Sequence, residues 1–586
     1  MKWLTRMNDK LTGLNHAIGR FPLTTIFLIA TAMISSYLVH SQKDNVKLLL
    51  TLVMGAFLST AAQVAFERFY SKQSARFLLM GLVIVLTGGY YLLIHPVPVM
   101  SREIEIRTSV ALFALLWAFI WIPVIKSQIS FNKSFMIAFK SLFHSLFFSF
   151  IIYGGIAVIL AVFSQLIVEI DGTAYAYTAN IVFILFAPMY FLSLIPNYPS
   201  AKDQEDIKGV EEAANCPKFL EILLSYILIP LLAIFTLIIV LYILKNITGV
   251  FWTDSLLEPM LVSYAVTVIL LYILVSEIEN KFTSFFRKIF PKVLVPIVLF
   301  QIVSSVISLM ESGVTYTRYY VILFGIFAAA AGILLSILPV RKNGFIAVLL
   351  IIFSVISIVP PVDAFTISRN SQIATLEQEL LKYNMLENNR IKPNNSVSEQ
   401  DQKIITRTVY YLEQMGYIKE IDYFPKDFNV YNDFYDTFGF KEYQEHLGTG
   451  NDGVYLMTEP GTTINIAGYD RFIQMELFKS DRNGEEQISE FKEAGKVYTL
   501  LKVTKGNEVD LKLMAENSRE LISFPTQEIF DKFYNYTGTK ETITTSEATF
   551  TKENDRAKMT IVVQNVSIEK EYNQNNAGIY IFVQIK

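Results

Sequence analysis

The chain has 586 residues, 52% of them hydrophobic and 14% aromatic, a formal net charge of −3 and one cysteine. This composition excludes an intrinsically disordered chain, a strongly basic nucleic-acid binder and any disulfide framework within one chain. Apolar residues crowd into residues 1–362, whereas residues 363–586 hold no run long enough to cross a bilayer.

A hydrocarbon core about 30 Å thick needs roughly 20 apolar residues per helix. Eleven stretches come close to this: residues 23–38, 48–66, 77–94, 110–125, 146–168, 179–195, 219–244, 260–275, 293–310, 320–340 and 345–359. The expected architecture is a membrane all-α bundle of about eleven transmembrane helices followed by a soluble α+β domain with an antiparallel sheet. Its expected parts are a cytoplasmic amphipathic segment (1–21), a polytopic transmembrane domain (22–362) and an extracytoplasmic α+β domain (363–586).

In the first segment Leu4, Met7, Leu11 and Leu14 recur at spacings of three and four beside Trp3, which predicts an interfacial helix that anchors. No small-x-small cleavage site follows the first span, so the segment does not read as a cleaved signal. With the N-terminus in the cytoplasm, the outer loops carry only Lys43, Lys47, Arg102, Arg107, Lys245 and Arg318. The inner segments carry about three times as many basic residues, among them Arg20, Arg68, Arg76, Lys133, Lys140, Lys281, Arg287 and Arg341. That bias predicts a multi-pass membrane protein with a cytoplasmic N-terminus. An odd number of crossings then leaves the acidic C-terminal domain outside. Its charge repels polyanions, so no nucleic-acid partner is expected.

Two inner segments repeat the amphipathic device just before a span: Phe131, Phe135 and Phe139 with Lys133 and Lys140, then Phe282, Phe285, Phe286 and Ile289 with Lys281, Arg287 and Lys288. Both are expected to lie along the lipid surface, and their recurrence hints at an internal duplication. No ionisable residue falls at mid-depth in a span, where a charge is costly and usually functional. The most polar face belongs to the ninth span, with Gln301, Ser304, Ser305 and Ser308; Gln63 and Asn180 add isolated amides. These groups either bond helix to helix or line a lipid or solute path. In the latter case Pro123, Pro188, Pro230 and Pro296 mark broken helices.

The outer domain opens with two predicted helices. Ser371 is expected to cap the first, whose apolar stripe is Ile373, Leu376, Leu380 and Tyr383. Ser398 with Asp401 resembles a capping box before Ile405, Val409 and Leu412. Farther on the period becomes two: Ile473, Met475, Leu477; Val497, Thr499, Leu501, Val503; Met559, Ile561, Val563; Ile579, Ile581, Val583, Ile585. The last two strands read as a hairpin around Asn573 to Asn576. Asp427, Asp433 and Asp436 stand among aromatics, where carboxylates serve turns and caps or bind a cation or sugar. His446 beside Glu445 lacks a second histidine, and neither a glycine-rich phosphate loop nor a nucleophile elbow is present, so no metal, cofactor or catalytic residue is expected.

Four stretches carry a likeness to known proteins: ESGVTYTRY from Glu311 to Tyr319, FLSLIPN from Phe191 to Asn197, SQIATLEQELLKYNML from Ser371 to Leu386, and DFNVYNDFYDTFGF from Asp427. Together they resemble the bacterial polytopic membrane-protein family filed as domain of unknown function 4153, which implies a multi-pass protein of the bacterial plasma (inner) membrane. The resemblance implies no catalytic residue, because the family has no established activity. Arg318 near Glu311, in an apolar outer rim, forms either a structural ion pair or a ligand contact. The favoured reading is a non-enzymatic envelope interaction or sensing protein whose residues 363–586 bind an envelope partner. The alternatives are a transporter or flippase for a lipid or small solute, and a membrane-embedded glycosyl or lipid-linked transferase using Glu103 and Glu105.

Overall fold

The computed structural model describes the chain apart from residues 1–12, 42–44, 98–99, 199–203, 247–256, 444–452, 460, 462, 479–483, 507, 517–518, 535–541 and 570–573. It forms two compact units, Met1–Tyr443 and Gln444–Lys586. Among the described residues of the first, 11 helices are long and apolar enough to cross a membrane. They are α1 (Pro22–Ser41), α2 (Val46–Phe69), α3 (Gln73–Ile94), α4 (Arg102–Trp121), α5 (Phe131–Leu166), α6 (Thr173–Ser193), α7 (Lys218–Lys245), α8 (Leu257–Val275), α9 (Lys281–Ser312), α10 (Tyr316–Ile337) and α11 (Gly344–Ile358). Each expected span is present. The expected amphipathic helix at the N-terminus lies mostly outside the described residues, of which 13–20 are helical.

The segments expected on the lipid surface before the fifth and ninth spans are instead the first turns of α5 and α9: in α5 no breaker separates amphipathic lead from apolar run, and in α9 the helix continues through Pro291. Ser130 caps α5, its Oγ accepting from the Lys133 N–H at 3.3 Å, and Asn280 with Thr283 forms a capping box for α9. Phe131 and Phe135 are buried, stacked on Trp117 of α4 at 6.1 and 5.5 Å between ring centres. These phenylalanines meet protein. In α9 only Phe286 of the corresponding set is buried, while Phe282, Phe285 and Ile289 stay exposed.

Two spans widen into a π-helical turn, Asn180–Phe186 in α6 and Leu223–Leu228 in α7, each ending two residues before a proline, Pro188 and Pro230. A proline ring clashes with the carbonyl four residues earlier, and a wider turn relieves that clash. Pro123 sits in the 3₁₀ turn that ends α4, and Pro291 and Pro296 lie inside α9. Small residues let α9 and α10 approach closely: a Cβ on Gly332 would stand 2.9 Å from Val295 Cγ2 and 3.1 Å from the Pro291 carbonyl. In lipid, where apolar surface gains little by being hidden, such close fits carry helix association.

Polar side chains tie the helix ends on the side where α1 starts. Arg20 pairs bidentately with Glu67 at 2.9 and 2.7 Å and donates to the Ile195 carbonyl at 2.6 Å. Gln63 donates to Glu67 and accepts from Arg76, at 2.9 and 3.0 Å. Asn343 joins Asn132 and Ser276 at 2.9 and 3.1 Å.

Beyond α11 the chain builds a helical cap from α12 (Ala364–Lys382), a small hairpin of β1 (Leu386–Glu387) and β2 (Arg390–Ile391), α13 (Glu399–Gln414) and α14 (Val430–Phe438). Leu376, Leu380, Ile405, Val409, Leu412, Phe434 and Phe438 form its core, and Ile106, Tyr316 and Tyr319 of the spanning helices pack against that core. The first compact unit therefore holds spans and cap together.

The second unit contains β3 (Gly453–Thr458), β4 (Arg471–Phe478), β5 (Gly484–Glu493), β6 (Lys496–Lys505), β7 (Glu508–Ala515), β8 (Glu520–Pro525), α15 (Gln527–Tyr534), β9 (Thr542–Ile543), β10 (Thr549–Glu553), β11 (Ala557–Glu569) and β12 (Gln574–Ile585). One sheet runs β4-β12-β11-β3-β9 with β10 also on β11, the other β5-β6-β7-β8; all pairs are antiparallel except β3 with β9. The terminal hairpin expected from sequence is the β11–β12 pair. Met559, Ile561, Val563, Ile579, Ile581 and Val583 are fully buried. Strand β6 departs from the expected phase: Tyr498 and Leu500 point inward rather than Val497, Thr499 and Leu501. It carries apolar side chains on both faces, so alternation alone cannot choose between them.

Candidate functional site

A buried polar cluster joins the spans to the cap. It starts with Asp363, which follows the last span, has no exposed surface and is the N-cap of α12 in place of the expected Ser371, which lies inside the helix. One carboxylate oxygen accepts from the backbone N–H groups of Phe365 and Thr366, at 3.0 and 3.1 Å, and from Arg107 Nη2 at 2.6 Å. Arg107, in the first turns of α4, also donates to the Ile358 carbonyl and to Glu103 Oε1 at 2.9 Å. Its guanidinium lies over the Phe365 ring, 4.9 Å from the centre. Glu103 in turn accepts from the Tyr417 hydroxyl at 2.8 Å.

The cluster is a chain of alternating donors and acceptors from cap to span to cap. Burial pushes the Asp363 carboxyl up, but hydrogen bonds from Thr366, the Arg107 charge and the Phe365 N–H outweigh it and hold the group below its ordinary value. Burial, then the neighbouring Glu103 carboxylate, pushes the Tyr417 hydroxyl far above its usual range, so it stays a donor.

A second tie lies beside the first. The turn between α9 and α10 passes through Gly313 at φ +69°, and its Val314 N–H donates to Ser371 Oγ at 3.0 Å while Gln372 donates back to the Val314 carbonyl at 3.2 Å. The Tyr316 N–H donates to the Tyr411 hydroxyl at 3.1 Å, which donates to Ser368 Oγ at 2.9 Å; Tyr319 donates to the Val362 carbonyl at 2.5 Å. Two of the stretches that carry the family resemblance, Glu311 to Tyr319 and Ser371 to Leu386, thus bind one another.

The family model described as Domain of unknown function (DUF4153) matches residues 8–392. The chain belongs to this family. No curated protein and no solved structure matches it. In this DUF4153 chain the matched segment takes in all eleven spanning helices, the Gly313 turn, Asp363 and α12.

The residues singled out from sequence fall in several places. Gln301 and Ser305 are fully buried and Ser304 nearly so. Gln301 Nε2 donates to the Val321 carbonyl at 3.4 Å, and Ser305 Oγ donates to Glu258 at the start of α8 at 2.6 Å. This face bonds helix to helix. The side chain of Glu311 lies outside what the structure describes. Arg318 is half-buried in the first turn of α10, its N–H capped by Thr315 Oγ1 at 3.4 Å. Asp433 accepts from the Asn429 N–H at 2.8 Å, closing the first turn of α14, while Asp427 and Asp436 are exposed. Among the described residues no three His, Cys, Asp or Glu side chains gather as metal ligands, and His446 lies outside them.

Sequence reasoning missed the Arg107–Asp363 pair, whose members stand 256 positions apart. A signal existed in each half: Asp363 directly precedes an amphipathic helix in N-cap position, and Arg107 is one of few basic residues in a loop otherwise depleted of them.

The second unit presents a different feature, an open sheet face. Paired residues share a face, which places Phe478, Asn576, Ser567 and Tyr455 in one row across β4, β12, β11 and β3, and Glu476, Gly578, Asn565 and Met457 in the next. Phe478 and Tyr455 are 54% and 55% exposed. Strands about 4.8 Å apart set these two rings about 14 Å from each other across a floor of amides and a glycine. At Gly578 a Cβ would stand 2.9 Å from Asn565 Nδ2, so the side chain of Asn565 lies over the glycine.

Proposed function

We propose that this DUF4153 protein is a non-enzymatic, multi-pass protein of a bacterial plasma membrane whose strand-rich unit binds an envelope protein outside the cytoplasm. The observation that carries this reading is the face of β4, β12, β11 and β3, where two half-exposed aromatic rings flank a polar floor. Exposed apolar side chains gathered on one face and interleaved with amides are characteristic of protein-binding surfaces. The distribution of basic residues supports a cytoplasmic N-terminus and, with eleven crossings, an extracytoplasmic strand-rich unit.

The other two readings draw less support. Glu103, an acid a transferase would use, is already engaged by Arg107 and Tyr417. Gln301, Ser304 and Ser305, the polar face a solute path would use, are packed between helices.

Site-specific photo-crosslinking tests the proposal. A photoreactive amino acid replaces Tyr455 or Phe478 in the full chain, in native membranes. One discrete protein adduct is expected at both positions, abolished by Gly578→Arg, which blocks the floor. Absence of a discrete adduct at both positions rejects the proposal, and an adduct with glycan instead of protein assigns the face to carbohydrate.

A further inference from the structure

A cavity of about 580 Å³ opens among α1, α2, α4, α5, α6 and α8. That is within the range of small-molecule sites, roughly 300–1,000 Å³. Its walls are formed by Leu28, Ala56, Trp117, Phe135, Ala138 and Phe183, among other apolar residues. Most of the wall belongs to the half of each helix nearer the side on which α1 starts, namely the beginnings of α1 and α5 and the later parts of α4, α6 and α8, while Ala56, Phe57 and Phe183 stand at the middle of α2 and α6. The cavity therefore extends from that leaflet to about the middle of the spans.

The chemistry of the walls selects the occupant. The three hydroxyls that line it are satisfied by protein. Thr24 bonds Ser59 and Thr60 at 2.8 and 3.2 Å, Thr60 donates to the Ala56 carbonyl at 2.7 Å, and Ser145 donates to the Ala187 carbonyl at 2.5 Å. No charged side chain stands in the wall. Beyond these hydroxyls and the Trp117 indole N–H the lining side chains are apolar, so a polar solute would find few hydrogen-bonding partners there. The π-helical turn of α6 lends Phe183 to the wall, and such turns recur at functional sites. Leu142 and Leu146 of α5 also line the cavity and are 45% and 38% exposed, so on that side it opens between helices toward the surrounding hydrocarbon.

We infer that the cavity is a lipid site: it takes one hydrocarbon chain of a membrane lipid, entering sideways past Leu142 and Leu146 from the leaflet on the side where α1 begins. A chain inside restores the dispersion contacts that an empty cavity of this size forfeits. Because lipid tails outside are as apolar as the walls, selection among chains rests on fit against the aromatic rings Trp117, Phe135 and Phe183.

The test uses the full chain in phosphatidylcholine vesicles that contain a phosphatidylcholine with a photoactivatable diazirine on one acyl chain. After illumination, adducts are mapped by mass spectrometry. Wild type is expected to carry label on Ala56, Trp117 or Ala138 as well as on the exposed Leu237 of α7. Ala138→Trp, which fills the cavity, is expected to lose the inner label and keep that on Leu237. Ala56→Leu fills less and covers the case in which the larger substitution prevents folding; it is expected to reduce the inner label. Folded wild type labelled only on exposed positions overturns the inference. So does inner labelling that neither filling variant reduces.

Discussion

Asp363 uses a single carboxylate oxygen both to cap α12 and to receive Arg107, and substitutions separate the two roles. Asp363→Asn keeps a cap acceptor and loses the ion pair, whereas Asp363→Ala loses both. Removing one partner of a buried pair costs about 3–5 kcal/mol, and an N-cap is worth about 1 kcal/mol. Arg107 retains Glu103, so the alanine variant should fall near the lower end, about 3 kcal/mol, and the asparagine variant about 1 kcal/mol less. Thermal unfolding in mild detergent measures both, and equal losses would refute the capping role. The pH dependence follows from the sign of the shift. A carboxyl held below its ordinary 3.8 favours the folded state when ionised, so its contribution is complete above that pH and drains away as pH falls below it. Gly313 is a second sensitive point. At φ +69° a Cβ would stand 2.8 Å from Thr375 Oγ1 and 2.9 Å from Gln372 Nε2, so Gly313→Ala should cost about 1–3 kcal/mol in the same assay. The Gly313 element was visible in sequence; the Arg107–Asp363 pair was not, since each half looks like an ordinary helix start and only the fold brings them together.

Helices and strands differ in how far sequence reveals them. The spans were legible because length and apolarity alone specify them, and Ser398 announced α13 through its side chain, which accepts from the Asp401 N–H at 3.3 Å. The lead segments of α5 and α9 were harder. Amphipathic periodicity is the same whether the apolar face meets lipid or another helix, and only Trp117 across the way decides for Phe131 and Phe135. Strand β6 failed for a related reason, apolar residues on both faces. At helix contacts the structure separates glycines that sequence alone treats alike. Gly332→Ala should destabilise by about 1–3 kcal/mol, because Val295 and the Pro291 carbonyl leave no room. Gly154→Ala meets nothing within 4 Å and should be neutral or stabilising by up to about 1 kcal/mol. Unchanged thermal unfolding of Gly332→Ala would mean that the α9–α10 contact is not the tight one. The α12–α13 contact adds a pH signature through Asp401. Burial raises its carboxyl, but Lys382, Ser398 and Tyr383, at 2.8, 2.5 and 2.5 Å, together hold it at about 2. Its stabilising contribution is complete above the unfolded value of 3.8 and is lost as pH falls from there toward 2. Asp401→Asn should flatten the acid limb of a circular-dichroism titration in that window.

At the scale of the whole molecule, serial crossing makes the positions of distant residues depend on one another. The ends that meet at the cap are the starts of α4 and α10 and the end of α11, which eleven alternating passes put on one side; Arg20, Glu67 and Asn343 gather at ends on the other. The proposed orientation then assigns a side to every loop. Cys216, the chain's one thiol, lies between α6 and α7 on the side where α1 starts, and Gly172 lies between α5 and α6 on the opposite side. In a Cys216→Ser background, Gly172→Cys and Ser546→Cys should both react with a membrane-impermeant maleimide in intact cells. Wild-type Cys216 should react only after lysis. Labelling of Cys216 alone in intact cells would invert the whole protein and move the proposed binding face into the cytoplasm. Labelling of Gly172→Cys without Ser546→Cys would leave the early spans in place while putting the strand-rich unit on the inner side, which requires an even number of crossings. The two outcomes are distinguishable because Gly172 reports five crossings from the N-terminus and Ser546 reports all eleven.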